Sequence, residues 1–282
     1  MNVRCDDVLE LKYLQSHMVV VDLLGSGNAF LPSGRLHSFL VIDKHIIIDC
    51  PPTALASLRI AGISPADIDT ILITHVHGDH VFGFPFLLLE RKYISDREGT
   101  VPLRVIGSPT VKVRLTELCH LAFPGSLESI LESVEWVEDA VGTTDDGWSW
   151  ERFEVHHDDA VDPYGYRFEN KDGVSFVHSG DSGPCDTLYN AIARSDIAIL
   201  EMGFPDWVPS THHHKPKDVE ALAQQCSTPL IITHTFVDDI TNHPKILSDS
   251  IPSHPPHVSH ISDETRLVRN NGQWVISNLD DA

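Results

Sequence analysis

Thr74-His75-Val76-His77-Gly78-Asp79-His80 is the stretch that decides how this chain is read. It follows Ile68–Thr74 (IDTILIT), an apolar, β-branched run that predicts a buried strand. It precedes Val81–Tyr93, which reads as a helix kinked at Pro85. The motif therefore falls on a strand-end loop. On extended backbone His75 and His77 share a face and can turn toward one point. Asp79 and His80 open the helix and can face a second point nearby. Imidazole and carboxylate without thiolate suit zinc in an open catalytic site, with manganese or iron as alternatives. Short motifs recur by chance, so a polar histidine-rich turn is the bland alternative that the rest of the chain must weigh against.

Working outward, β-branched runs alternate with helical stretches. Met18–Leu24 predicts a strand leading into Gly25-Ser26-Gly27, and Phe39–Ile42 with His45–Asp49 a hairpin across Asp43-Lys44. Thr53–Ala61 reads as a helix ended by Gly62, Leu103–Ile106 as a strand, and Pro109–Leu121 as a helix opening on proline. Glu151–His156 alternates like a strand, and Tyr164–Glu169 with Val174–His178 forms a hairpin across Lys171-Asp172-Gly173. Ile197–Glu201 and Leu230–Thr233 are strands around a helix at Pro216–Cys226, and Arg266–Ser277 is a closing hairpin. Two runs of strands, each followed by helices, imply two mixed sheets packed face to face with helices on the outer faces: an αββα sandwich. One domain is expected across residues 1–282, with residues 1–17 as an N-terminal extension and 241–260 as a His/Pro-rich loop.

The H-x-H-x-D-H pattern after a strand resembles the metallo-β-lactamase superfamily of binuclear metallohydrolases. Further pieces follow in that family's order. Gly25-Ser26-Gly27 resembles its opening turn and Asp49 the Asp closing its second hairpin. Val155-His156-His157 resembles its third metal motif, Ser179-Gly180-Asp181 the bridging carboxylate, and Ile232-Thr233-His234 the last metal-binding histidine. The resemblance spans about residues 18–280, and several spaced motifs are far more specific than one. The G-H-T-x-G-H element of the glyoxalase II and lactonase branches is absent; Gly165-Tyr166-Arg167-Phe168, Ser179-Gly180-Asp181 and Thr233-His234-Thr235-Phe236 stand in its place. These resemble the branch of ribonuclease Z and related phosphodiesterases. Glu201 in Leu200-Glu201-Met202-Gly203-Phe204 resembles that branch's E-A-T-F element, and His213 falls where its H-S-T histidine would sit.

Carried over residue by residue, the resemblance implies two divalent metal ions, zinc first. His75, His77 and His157 would hold one; Asp79, His80 and His234 the other; Asp181 would bridge both. Neighbours on a strand point opposite ways, so only one of His156 and His157 should face the metal; His157 is preferred for its distance to the Gly165-Tyr166 pair. The implied chemistry is attack on phosphorus by a metal-bridging hydroxide, with His213, oriented by Glu201, protonating the leaving alkoxide. His212 and His214 flank His213 and leave that choice open.

Composition bounds the partners. Asp and Glu total 41 against 20 Lys and Arg, giving a formal charge of -21. That balance argues against unaided binding to nucleic acid or an anionic membrane. Ribonuclease Z usually inserts a long basic arm, often between the G-Y-R and G-D motifs, to grip tRNA; here 14 residues separate Tyr166 from Asp181. A small phosphoester substrate is expected, with nucleic acid unlikely, no membrane association, and a homodimer possible by analogy. Five scattered cysteines without C-x-x-C, no visible signal peptide, and a longest apolar run (Val81–Leu89) of about half a membrane span point to the cytoplasm. The rivals are a lactonase or other carbonyl hydrolase on the same site, an RNA-processing nuclease, and a non-catalytic metal-binding protein. Of the 18 histidines, His17, His45 and His120 read as surface or satisfied core residues. His37 and His178 read the same way, with pocket lining or support of a ligand as the minority reading. His243, His254, His257 and His260 read as solvated loop, and Phe82, Phe84 and Phe86 as helix core.

Overall fold

In a computed structural model, residues 18–236, 256–270 and 272–281 are described. The first sheet takes β1 (Val20–Gly25), β2 (Phe39–Ile42), β3 (Ile46–Ile48), β4 (Thr70–Leu72), β5 (Arg104–Ile106) and β6 (Glu135–Val137). The second takes β7 (Val141–Thr143), β8 (Trp148–Glu154), β9 (Tyr164–Asn170), β10 (Ser175–His178), β11 (Ala198–Glu201), β12 (Leu230–Thr233) and β13 (Val258–His260). The chain then returns to the first sheet with β14 (Thr265–Asn270) and β15 (Gln273–Asn278). The orders are β15-β14-β1-β2-β3-β4-β5-β6 and β13-β12-β11-β10-β9-β8-β7, each mixing parallel and antiparallel pairs.

Alternation builds the layers. In β3, Ile46 and Ile48 join the apolar layer between the sheets, with Leu23, Trp148, Phe168 and Phe176, while Ile47 faces a layer of outer helices. Strands buried on both faces read as continuous apolar runs, which is why these segments were legible. Helices α1 (Ala54–Ile60), α2 (Gly78–Val81), α3 (Phe84–Glu90), α4 (Pro109–Ala122) and α5 (Glu128–Ser133) lie in the first half of the chain, and α6 (Asp186–Ala193) and α7 (Pro216–Gln225) in the second. Leu58, Leu87 and Leu115 pack on the first sheet, and Leu188, Val219 and Leu222 on the second. Three apolar layers between four layers of structure is the αββα sandwich expected.

Several local expectations need correction. Val81–Tyr93 is not one kinked helix: α2 and α3 are separate, and Pro85 sits in the first turn of α3, where its missing N–H costs nothing. The chain continues as a π-helical turn, Arg91–Ser95. Phe84 is core, but Phe82 and Phe86 are half exposed. The strand expected at Glu151–His156 begins at Trp148 and stops at Glu154. His260 is not in a solvated loop; it ends β13, which pairs parallel with β12, and the His257 carbonyl accepts from Leu230 N. His17, His243 and His254, with the expected extension and most of the His/Pro-rich loop, lie outside the described residues. Among the described residues no helix is long and apolar enough to cross a membrane.

At the end of the sandwich where β2 turns into β3, His45 ties three turns together. Its Nδ1 lies 3.0 Å from Asp69 Oδ2 and its Nε2 3.1 Å from Asp146 Oδ2. Hydrogen bonds to Asp146 and Asp69, against the opposing pull of burial, raise the imidazole to about 10. A folded-state pKa above the unfolded value stabilises fully below the unfolded pKa and loses that contribution as pH rises through the folded one. Chemical denaturation of wild type and His45→Gln should therefore differ most between about pH 4, where Asp69 and Asp146 are still ionised, and about pH 6.5. The gap should narrow steadily toward pH 10, where it vanishes; a gap independent of pH would contradict the ion-pair account.

Candidate metal centre

The strand-end loops deliver the motif residues to one place. His75 and His77 follow β4, Asp79 and His80 stand in α2, Asp181 follows β10, Glu201 ends β11, and His234 follows β12. His75 Nε2 lies 3.0 Å and His157 Nε2 3.2 Å from His77 Nδ1. Around Asp181, Oδ1 lies 3.4 Å from His80 Nε2 and 3.3 Å from His234 Nε2, while Oδ2 lies 3.8 Å from His75 Nε2. Asp79 Oδ2 completes this second group at 3.5 Å from His80 Nε2 and 3.4 Å from His234 Nε2. Among the described residues four overlapping groups are each compact enough for one ion: His75/His77/His157 and Asp79/His80/Asp181/His234, which hold the motif residues, and His157/Asp181/His213 and Glu201/His213/His234 beside them.

Hydrogen bonds behind the candidate ligand atoms show which nitrogen of each imidazole faces the centre. Thr74 Oγ1 lies 2.9 Å from Asp49 Oδ2, which accepts its proton, so that hydroxyl oxygen accepts from His75 Nδ1 at 3.0 Å. His80 Nδ1 donates to Asp49 Oδ2 at 2.7 Å, and His157 Nδ1 to the His212 carbonyl at 2.9 Å. In all three Nε2 is the nitrogen left pointing into the centre. His80 Nε2 and Asp181 Oδ1 are buried without a hydrogen-bond partner. Ligands at about 2.0–2.1 Å from a tetrahedral cation stand about 3.3 Å apart, close to the spacing around His77. Converging imidazole nitrogens and orphaned buried atoms are what a divalent cation fits, and they fit poorly without one.

Electrostatics agrees. Burial, then the neighbouring charge of His80, keeps His75 well below the imidazole range; burial also lowers His157. Burial opposes charge on His80, but Asp181, Asp79 and Asp49 outweigh it and hold that imidazole well above its usual value. Burial likewise opposes ionisation of Asp181, and His234 and His80 overcome it, keeping the carboxyl well below the usual range. The second group is a negative hole that draws in positive charge.

His156 and His157 part company here. The His156 backbone pairs with Gly183 and its exposed ring lies 3.4 Å from Thr211 Oγ1, whereas His157 is buried in the first group. Gly183 is required by that packing: a Cβ there would fall 1.7 Å from the Thr211 carbonyl oxygen. His212, His213 and His214 also separate. His212 is exposed, and buried His214 lies 2.6 Å from the Ser182 carbonyl through Nδ1. His213 faces the centre with Nδ1 3.2 Å from Glu201 Oε1. Glu201 itself accepts from the backbone N–H groups of Ser182, Gly203 and His214. Against burial, the Glu201 charge raises His213 to about 9. His234 holds a left-handed φ of 48°, rare for a side chain of its size. The bend is clamped because Thr235 N donates to Ser26 O, and Asn28 N to Thr235 O.

Residues matching the description "Beta-lactamase superfamily domain" run from 44 to 235. The chain belongs to the β-lactamase superfamily. Within that superfamily it is ribonuclease Z-like: it is 24% identical to the ribonuclease Z of Pyrobaculum calidifontis over 87% of this chain and 97% of that one. The metallo-β-lactamase fold protein YhfI of Bacillus subtilis aligns with a TM-score of 0.68 at 14% identity, over 89% of this chain and 99% of that one. A diphosphatase of the PhnP family aligns with a TM-score of 0.65 at 19% identity, over 88% and 97%. The superfamily and the donor set imply divalent metal ions in a hydrolase. The expectation that nucleic acid is an unlikely partner gains no support, because the relative is named for a ribonuclease.

Sequence reasoning noticed Asp49 but gave it no role; the structure shows it orienting His80 and, through Thr74, His75. His178 supports the Asp181 turn, its Nδ1 accepting from Gly180 N at 3.1 Å. His37 is buried 3.3 Å from Thr53 Oγ1, its pKa lowered by burial while it senses Asp79, His80 and His234. The exposed His120 lies near Glu128. Supporting residues of this kind typically govern metal affinity by about 10- to 100-fold. Asp49→Asn should weaken zinc binding by about that factor in competition with a chromophoric chelator; unchanged affinity would detach Asp49 from the centre.

Proposed function

We propose that this protein is a binuclear metal-dependent phosphodiesterase acting on a small phosphoester. The observation that carries the reading is the division of Asp181, with Oδ1 toward the His80/His234 group and Oδ2 toward His75. His75, His77 and His157 would hold one cation and Asp79, His80 and His234 the other, with Asp181 shared. Neutral imidazoles and carboxylates favour zinc, with manganese or iron as alternatives. When bound, the metals supply an acidified water near neutral pH and positive charge for the phosphoryl oxygens.

The chain's own residues do the rest. Asp49, Thr74 and the His212 carbonyl hold the imidazoles in one tautomer each. Glu201 holds Nδ1 of His213, leaving Nε2 to pass a proton to the leaving oxygen as its bond to phosphorus breaks and the water oxygen takes its place. Gly203 leaves room for this pair, since a Cβ there would fall 2.6 Å from His213 Nδ1. The G-Y-R strand passes to the G-D strand by a tight turn, β9 to β10, with no arm between them. With the -21 charge, that supports a small substrate. RNA processing is the second reading, favoured by the relative's name, and turnover of a tRNA precursor decides between them.

Removing the shared carboxylate or a ligand of the second group, by Asp181→Ala or His80→Ala, should abolish phosphodiester turnover; retained activity would refute the site. His213→Ala should depend on the leaving group. Alkyl diesters, which need protonation, should slow by about 10²- to 10⁴-fold, whereas p-nitrophenyl diesters should slow far less. Equal losses on both would remove His213 as proton donor. A panel of lactones run beside the diesters tests the carbonyl-hydrolase rival.

A further inference from the structure

Three phenylalanines border the His213 side of the centre, and one buried side chain ties their loops together. The Phe204 ring stands edge-on to the His213 imidazole with centroids 4.5 Å apart. Phe30 lies 6.5 Å from Phe204 and meets Phe236 edge to face at 6.0 Å. Phe30 is 64% exposed although its backbone N–H is hydrogen-bonded to Asn28. Asn28 itself is 3% exposed. Its Oδ1 accepts from Phe30 N at 3.1 Å, its Nδ2 donates to the Gly203 carbonyl at 2.9 Å, and its backbone N–H donates to Thr235 O. Each of these hydrogen bonds ends on, or one residue before, one of the three rings.

Folding does not need an exposed aromatic ring here, because backbone and Asn28 hydrogen bonds already fix the loops. A water-exposed apolar ring such as Phe30, beside a cluster of charged side chains, is costly unless something covers it. The direction of the wall says what does. His213 protonates the leaving oxygen, so whatever that oxygen carries lies against Phe204 and reaches Phe30. An uncharged aromatic wall gives a second anionic group nothing, but it gives a flat ring a stacking partner.

Resting on the phosphodiesterase reading, we propose that Phe30, Phe204 and Phe236 form a specificity platform, positioned by Asn28, for a planar aromatic ring on the leaving-group side of the substrate. An aryl group and a nucleobase both meet this description; the platform recognises the flat apolar face that they share.

Isothermal titration calorimetry on the zinc-loaded protein separates the cases, with methylphosphonate, phenylphosphonate and adenosine 5′-monophosphate as probes. At least one aromatic probe should bind about tenfold more tightly than methylphosphonate, and which one identifies the source of the ring. Phe30→Ala should erase that preference while leaving methylphosphonate affinity unchanged, and Phe30→Tyr should restore it. Asn28→Ala should reduce the preference likewise, a ratio that mere loss of stability would not move. Equal binding of all three probes, or a preference unmoved in Phe30→Ala, overturns the platform and leaves the phosphodiesterase reading standing. Binding of none of them overturns both.

Discussion

A carboxylate buried among imidazoles organises this end of the molecule. Asp181 is 3% exposed, yet both its oxygens face histidine nitrogens, Oδ1 toward His80 and His234 and Oδ2 toward His75. A buried charge persists only when it is paired, and here the pairing atoms come from loops after two strands, β4 and β12, and from the helix α2. The two sheets must therefore end at a common edge. The apolar layer between them, built on Ile46, Ile48, Phe168 and Phe176, sets the separation at which β4 of one sheet and β10 to β12 of the other bring their loops together.

Behind the centre lies a second ring of constraint. Asp49, with φ of 65°, spends its oxygens on Thr74 and His80, and Thr74 passes the orientation on to His75. Glu201 gathers three backbone N–H groups and His213. These buried carboxylates account for part of the acidic excess: within the site they are balanced by imidazoles, and a cation in each group would complete the balance. The -21 charge is thus partly a property of the site, not only of the solvent-facing surface.

Much of this was legible because four of the candidate ligands are local in sequence. His75, His77, Asp79 and His80 need only a strand followed by a helix to converge. Strand alternation narrows the choice between His156 and His157; which ring faces inward follows from the Gly183 pairing, a tertiary contact with no local signal. Asn28 was illegible for the same reason, since its partners Gly203 and Thr235 are distant in the chain. The three-residue strands Glu135–Val137 and Val141–Thr143 are too short to show a period. Val258–His260 hid inside a proline- and histidine-rich composition because only Val258 is fully buried. Pro85 was read as a kink because sequence does not say where a helix restarts; Gly83 and Phe84 supply that restart.

The account stands on two cations sharing Asp181. Anomalous diffraction at the zinc edge from zinc-loaded crystals measures this directly. Two peaks are expected, one within His75, His77 and His157 and one within Asp79, His80 and His234, with an Asp181 oxygen at coordinating distance from each. No peak in either group, or full occupancy of one group with Asp181 turned away from the other, would contradict it.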